Sequence, residues 1–149
     1  MIERKDRENT DKGRGGRILV YVAKGKCVWK ENVEGCFEQC ALVKLRGKRN
    51  NLGIYIIYRS QNSSSGNDAS LCNLVKEIRG TSVLIVDFNY PGIRWTSGTS
   101  DAKSQAFYKE LEDNYFTQYV DEPTHKSGNI LNLILSKDEN LIDNVKHEG

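Results

Sequence analysis

Residues 83 to 95 read Val83-Leu84-Ile85-Val86-Asp87-Phe88-Asn89-Tyr90-Pro91-Gly92-Ile93-Arg94-Trp95. With Thr81 and Ser82 before it, the opening run is short, apolar and β-branched, the pattern of a strand buried on both faces. It stops at a cluster of turn formers, Asp87 to Gly92, which leaves a carboxylate and an amide at the C-terminal end of an interior strand. In an open α/β sheet, loops at that end carry polar groups over a rigid support, so Asp87 and Asn89 are the first candidate site residues. An Asp-x-Asn pair alone is also an ordinary way to start a turn, because both side chains bond nearby backbone.

Working outward, Leu52-Gly53-Ile54-Tyr55-Ile56-Ile57-Tyr58 is a second nearly continuous apolar run and predicts a central strand covered on both faces. A loop of turn formers, Arg59 to Asn67, follows, and then Leu71, Leu74, Val75 and Ile78 recur at helical spacing. Upstream, residues 18–22 read as a strand and residues 36–45 contain another. Downstream, residues 104–114 predict a helix with Phe107, Leu111 and Tyr115 on one side, and residues 129–135 and 141–145 predict short strands. This order argues for a layered α/β or α+β domain with helices packed on a sheet. Residues 1–14 are polar and charged and predict a flexible lead-in, with the domain over 15–149.

The composition is that of a soluble globular chain: 149 residues, 38% hydrophobic, 28% charged, 13 Gly and 2 Pro. No apolar run approaches the roughly 18 residues of a membrane span, and the charged start, Met1 to Glu8, lacks the hydrophobic segment of a secretory signal. Neither a membrane partner nor export is expected. The net charge of +2 hides an asymmetry, since residues 1–59 carry 14 Lys/Arg against 7 Asp/Glu and residues 60–149 carry 8 against 13. The basic run Lys44 to Asn51 suits phosphate, although such mixed runs are more often solvated hairpin loops. Cys27, Cys36, Cys40 and Cys72 are expected to be reduced, buried structural thiols. Three residues separate Cys36 from Cys40, a spacing that begins some zinc sites, but no second Cys or His pair follows.

The stretch 83–95 closely resembles the GDFNYPGIxW signature of the endonuclease domains of LINE-type (non-LTR) retrotransposons, within the endonuclease/exonuclease/phosphatase family. Three more segments match in the same order: Gly15 to Val22 resembles GGVAIYV, Leu52 to Asn62 resembles LGVVYRPPN, and Glu122-Pro123-Thr124-His125 with Asn129 to Leu135 resembles xPTRxxNILDLVL. Together they extend over residues 15–145. The resemblance implies an α/β fold, a β-sandwich of two sheets flanked by helices, that hydrolyses phosphodiester bonds with Mg²⁺ or Mn²⁺ and nicks DNA. It implies the DNA phosphate backbone as partner, a reverse transcriptase domain on the same chain in a full-length element, and a nuclear location for an active one. It assigns Asp87 as base or water-orienting carboxylate, Asn89 as an amide donor to a phosphate oxygen, and Tyr58 and Asn62 as contacts to the scissile phosphate. Arg59 beside them reads either as a holder of a flanking phosphate or as a solvated loop residue.

The chain departs from the family at several points. The Gly before the family's Asp is Val86 here, whose branched side chain is expected to disturb the approach of the backbone to the site. Asn132 stands where the family has an Asp that steadies the catalytic histidine, and an amide cannot stabilise an imidazolium by charge. No segment matches the family's first strand with its Asn, its metal-binding Glu or its closing Ser-Asp-His, so the sequence is expected to be the middle of a domain, truncated at both ends. Its complete metal site is expected to be missing, and His147 lacks the context of the catalytic histidine. Tyr90 and Trp95 beside the Pro-Gly turn are expected to close over the core rather than to stack on a base. These departures predict loss of hydrolysis rather than its retention, leaving a catalytically inactive remnant that at most binds nucleic acid weakly.

Overall fold

The computed structural model describes residues 2–5, 18–33, 37 and 39–146. Among them the elements are β1 (Ile2–Lys5), β2 (Ile18–Tyr21), β3 (Val28–Glu31), β4 (Cys40–Leu45), β5 (Leu52–Tyr58), α1 (Ser65–Glu77), β6 (Ser82–Asp87), β7 (Ile93–Arg94), β8 (Thr99–Ser100), α2 (Gln105–Asp113), β9 (Thr117–Gln118) and β10 (Asn132–Ser136). The two apolar runs, β5 and β6, pair in parallel. A parallel pair cannot be closed by a hairpin, and α1 supplies the crossover. Ser64 starts this helix by accepting a hydrogen bond from the Asn67 N–H at 3.2 Å. Antiparallel partners extend the pair on both sides into a six-stranded sheet of order β3-β4-β5-β6-β10-β9. β1-β2 and β7-β8 are separate two-stranded sheets. The α/β class read from the sequence is therefore the class observed, with β5 and β6 central.

Register fixes which side chains share a face. Tyr55 and Ile57 are partners of Leu84 and Val86, which are partners in turn of Leu135 and Leu133. This face meets Leu71, Leu74 and Val75 of α1 and Phe107 and Leu111 of α2 in one apolar cluster. The opposite face carries Ile54, Ile56, Val83 and Ile134, all half-buried, and Ile85, which is 44% exposed. The expectation that the central runs are covered on both faces is thus corrected: on the far face the described residues of β5 and β6 are only partly covered, although Ala41 and Val43 of the neighbouring β4 are buried there.

Other differences have local causes. Residues 2–5, expected within the polar lead-in, form β1 against β2, while residues 6–14 lie outside the described set. β3 is too short and polar to stand out, and it forms because β4 offers it an edge. Residues 141–145 form no strand: the Leu141 N–H bonds the Asp138 carbonyl in a turn, and both edges of β10 are already taken by β6 and β9. Tyr115, expected on the buried side of α2, is 84% exposed, because the helix ends at Asp113 and the chain reverses at Tyr115 with φ 58°. Phe116 takes its place against the core. No helix among the described residues is long and apolar enough to cross a membrane.

Leu84, with no exposed surface, joins the sheet to both helices. Leu84→Ala is expected to lower stability by about 3 kcal/mol, read as an earlier urea midpoint at unchanged slope.

Candidate functional site

The parallel strands end side by side, so their last residues meet. Tyr58 closes β5 and Asp87 closes β6, and the two are register partners. Across β6 on its other side, Asp87 is the partner of Asn132, the first residue of β10. Phenol, carboxylate and amide therefore stand in one row on the face away from the helices, on strands about 4.8 Å apart. On the far side of the row Thr124 Oγ1 accepts the N–H groups of Leu131 and Asn132 at 2.9 and 3.0 Å, and so holds the start of β10. The matching motif contains Thr124, but its role emerges only from this fold.

Beyond Asp87 the strand does not persist. Asn89 adopts φ 47°, a left-handed conformation that Asn tolerates better than most residues. The reversal returns its side chain to the row, where Nδ2 donates to Asp87 Oδ1 at 2.9 Å and to the Arg59 carbonyl at 3.0 Å. Both partners are acceptors, which fixes the amide's orientation. The expected role of Asn89 as a donor to phosphate is corrected accordingly: both Nδ2 hydrogens are committed within the protein, and the side chain holds Asp87 in place.

Arg59 is neither of the things the sequence suggested. It is 1% exposed, and its Nε and Nη2 donate to the two Asp68 carboxylate oxygens at 2.7 and 2.8 Å. Its Nη1 donates to the carbonyls of Asn89 at 3.1 Å and of Phe88 and Ser60 at 3.3 Å. The guanidinium lies 3.8 Å from the ring centroid of Tyr90, which stacks on Phe107 at 5.0 Å. A cation buried this way must be paired, and Asp68 is the partner the sequence reading missed. Its signal was an acidic residue in the first turn of the helix after the loop. Arg59 is thus withdrawn as a phosphate contact.

The charges follow from these contacts. Burial pushes the Asp87 carboxyl above its ordinary value. For Asp68 burial pulls the same way, but hydrogen bonds from Arg59 and Ser63 and the guanidinium's charge outweigh it, and its carboxyl lies below its ordinary value. Burial also raises the Tyr90 phenol strongly.

The remaining expectations fall out as follows. Asn62 is exposed on the loop after Tyr58. The Val86 side chain points into the helix-side core, away from the row, so the feared crowding of the site does not arise. Tyr90 is buried, and Trp95 packs beside Tyr108 at 5.9 Å. His125 is exposed and bonds Ser127. The basic run lies in the exposed β4-β5 turn, at the end of β5 opposite Tyr58, roughly 20 Å along the strand. Cys40 is buried, but Cys27 is exposed and Cys72 only half-buried, so burial of all four thiols does not hold. Cys36 and His147 lie outside the described residues.

The arrangement is a mixed sheet with polar residues closing its parallel strands. Among solved structures, the chain is similar to the endonuclease domain of TRAS1, a telomere-specific non-LTR retrotransposon, with TM-score 0.62 at 12% sequence identity. The match covers 82% of this chain and 58% of that domain, so the chain spans less than two thirds of its neighbour's length. The likeness to retrotransposon endonuclease domains read from four motifs is found again in the fold. No protein-family model and no curated protein matches the sequence.

Two pH-linked outcomes are expected. Asp68→Asn leaves the Arg59 charge buried without a carboxylate and is expected to cost about 3 kcal/mol at pH 7. Because the folded Asp68 carboxyl lies below its ordinary value, its stabilisation is complete above about pH 4 and disappears as pH falls through the lowered value, so urea midpoints of variant and wild type converge in acid. Asp87 has the opposite sign: its ionisation weighs against the fold above its raised value and ceases to matter below about pH 4. Asp87→Asn is expected to melt about 2 °C above wild type at pH 7, with the gap closing by about pH 3.5.

Proposed function

We propose that the row of Tyr58, Asp87 and Asn132 is a phosphodiester site, and that the chain acts on the DNA backbone as an endonuclease that leaves a nick. The observation that carries this reading is the register that aligns the last residues of two parallel strands with the first residue of the antiparallel β10. In it Asp87 orients the attacking water. Its Oδ1 is held by Asn89, and Oδ2 accepts no hydrogen bond among the described residues. A carboxylate that burial biases toward protonation accepts a proton more readily than an ordinary aspartate. The Tyr58 hydroxyl and the Asn132 amide donate to phosphate oxygens without adding repulsive charge. Asn62 meets the same strand from its exposed loop. A cleft of about 240 Å³ lined by Arg94, Trp95, Asp121 and Asn129 offers the Arg94 guanidinium to a flanking phosphate, with Trp95 packed into its wall.

The resemblance carries Mg²⁺ or Mn²⁺ with it. Among the described residues no three His, Cys, Asp or Glu side chains converge, and Asp87 is the only carboxylate in the row. These residues do not make a metal site by themselves, and the chemistry above is assigned to the chain's own groups. A second reading, nucleic-acid binding without hydrolysis, is favoured by Asn132: a neutral amide beside Asp87 cannot hold an imidazolium by charge.

Nicking of supercoiled plasmid in Mg²⁺ tests the two. The hydrolytic reading expects open circles with wild type and at least about 100-fold fewer with Asp87→Ala. Equal background in both eliminates the enzyme, and salt-sensitive retention of DNA without cleavage selects the binding module.

A further inference from the structure

We propose that Arg59 is a positioning residue for Asp87, acting through the turn at Asn89 and anchored by Asp68 of α1. The proposal rests on the reading of Asp87 as the water-orienting carboxylate. Its basis is that Arg59 bonds every residue of the segment 87–89. Its backbone N–H donates to the Asp87 carbonyl at 2.8 Å, extending the parallel ladder one step past the strands. Its Nη1 reaches the carbonyls of Phe88 and Asn89. Its own carbonyl accepts the Asn89 amide.

Successive carbonyls of an extended strand point to opposite sides, so those of Phe88 and Asn89 can share one nitrogen only because the strand geometry ends here, at Asn89 with φ 47°. That conformation is costly for a residue with a Cβ and persists because its surroundings hold it. Once made, it delivers Nδ2 to Asp87 Oδ1. The guanidinium therefore orders the turn, and the turn fixes the carboxylate.

Arg59 itself is buried on Asp68 and Tyr90 and has no path to substrate, so its effect at the row passes through Asn89. Lysine cannot replace it, because a single ammonium has neither the second edge to grip Asp68 bidentately nor the plane to lie on Tyr90. Asp68 stands in the first turn of α1, so the N-terminal turn of that helix is the part whose position bears on Asp87.

The alternative, an ion pair that only staples the fold, is separated by comparing Asp68→Asn and Arg59→Lys with Val75→Ala, which weakens the same helix at a fully buried position away from the pair. The first readout needs no activity: the ¹H–¹⁵N signals of the Asn89 side-chain amide. In wild type and Val75→Ala both Nδ2 protons are expected apart from the exposed asparagine amides and slow to exchange. In Asp68→Asn and Arg59→Lys they are expected to move to the exposed positions while the remaining spectrum keeps its dispersion. If Arg59→Lys does not fold, Asp68→Asn carries the test, since its side chain is 22% exposed.

The second readout is nicking. Here kcat is expected to fall about 10- to 100-fold at constant KM in the two pair variants and to change less than about twofold in Val75→Ala. Unmoved Asn89 signals in folded Asp68→Asn overturn the proposal whatever the nicking rate, and so does an equal loss of nicking in Val75→Ala. Absence of nicking in wild type defeats the functional reading alone, because the amide signals still decide the positioning role.

Discussion

The ends of β5, β6 and α1 are held together by one buried guanidinium and the carboxylate that neutralises it. Arg59 and Asp68 are nine residues apart in sequence, yet the pair closes only when the crossover helix has docked on the sheet. A charge that is almost fully buried tolerates no loose geometry, because the cost of leaving it unpaired exceeds what most single contacts contribute. The neutralisation also has an electrostatic consequence. A guanidinium this close would ordinarily pull a neighbouring carboxylate down, but Arg59 faces Asp68 and Tyr90, and burial alone sets the direction at Asp87.

The same contacts show how much of the Asp87 to Ile93 motif is structural. Phe88, Tyr90 and Ile93 are core residues, and Asn89 occupies a left-handed turn. A Cβ at Gly92 would stand 2.1 Å from an Asp101 carboxylate oxygen, and that carboxylate bonds the Ser104 N–H just ahead of α2. Of the seven residues, only Asp87 points a functional group at the open face while serving no packing purpose. Folding therefore explains most of the motif, and chemistry is needed to explain one position in it. A chain that had lost hydrolysis would still need nearly every other residue of the motif to keep its shape.

This division marks what the sequence could reveal. Long apolar runs announce central strands whatever surrounds them, and the parity of their pairing then carried Tyr58, Asp87 and Asn132 into one row. The crossover helix followed from the spacing of Leu71, Leu74, Val75 and Ile78. The fate of Arg59 was hidden, because an arginine in a loop of turn formers looks solvated until the helix that buries it is in place. The role of Asn89 was half legible: its proximity to Asp87 followed from spacing, but the commitment of both amide hydrogens depends on a reversal of the backbone that no local preference dictates. β3 was invisible for a related reason, since a four-residue edge strand is stabilised by its neighbour rather than by its own composition.

The two faces of the sheet separate stability from chemistry. On one side Leu84, Val86, Leu133 and Leu135 are sealed beneath α1 and α2, and the apolar burial there supplies the fold's stability. On the other, Ile85 is open and the polar row closes the strands, so substitution of Asp87 removes a desolvated charge without opening a cavity. The buried pair crosses this boundary: Arg59 belongs by burial to the first face and by its hydrogen bonds to the second. Damage at Leu84 should therefore loosen the whole molecule and leave the row's geometry intact while it stays folded, whereas damage at Asp68 should disturb both. That coupling would make the Asp68 end of α1, rather than the packing of the helix as a whole, a condition for chemistry at Asp87.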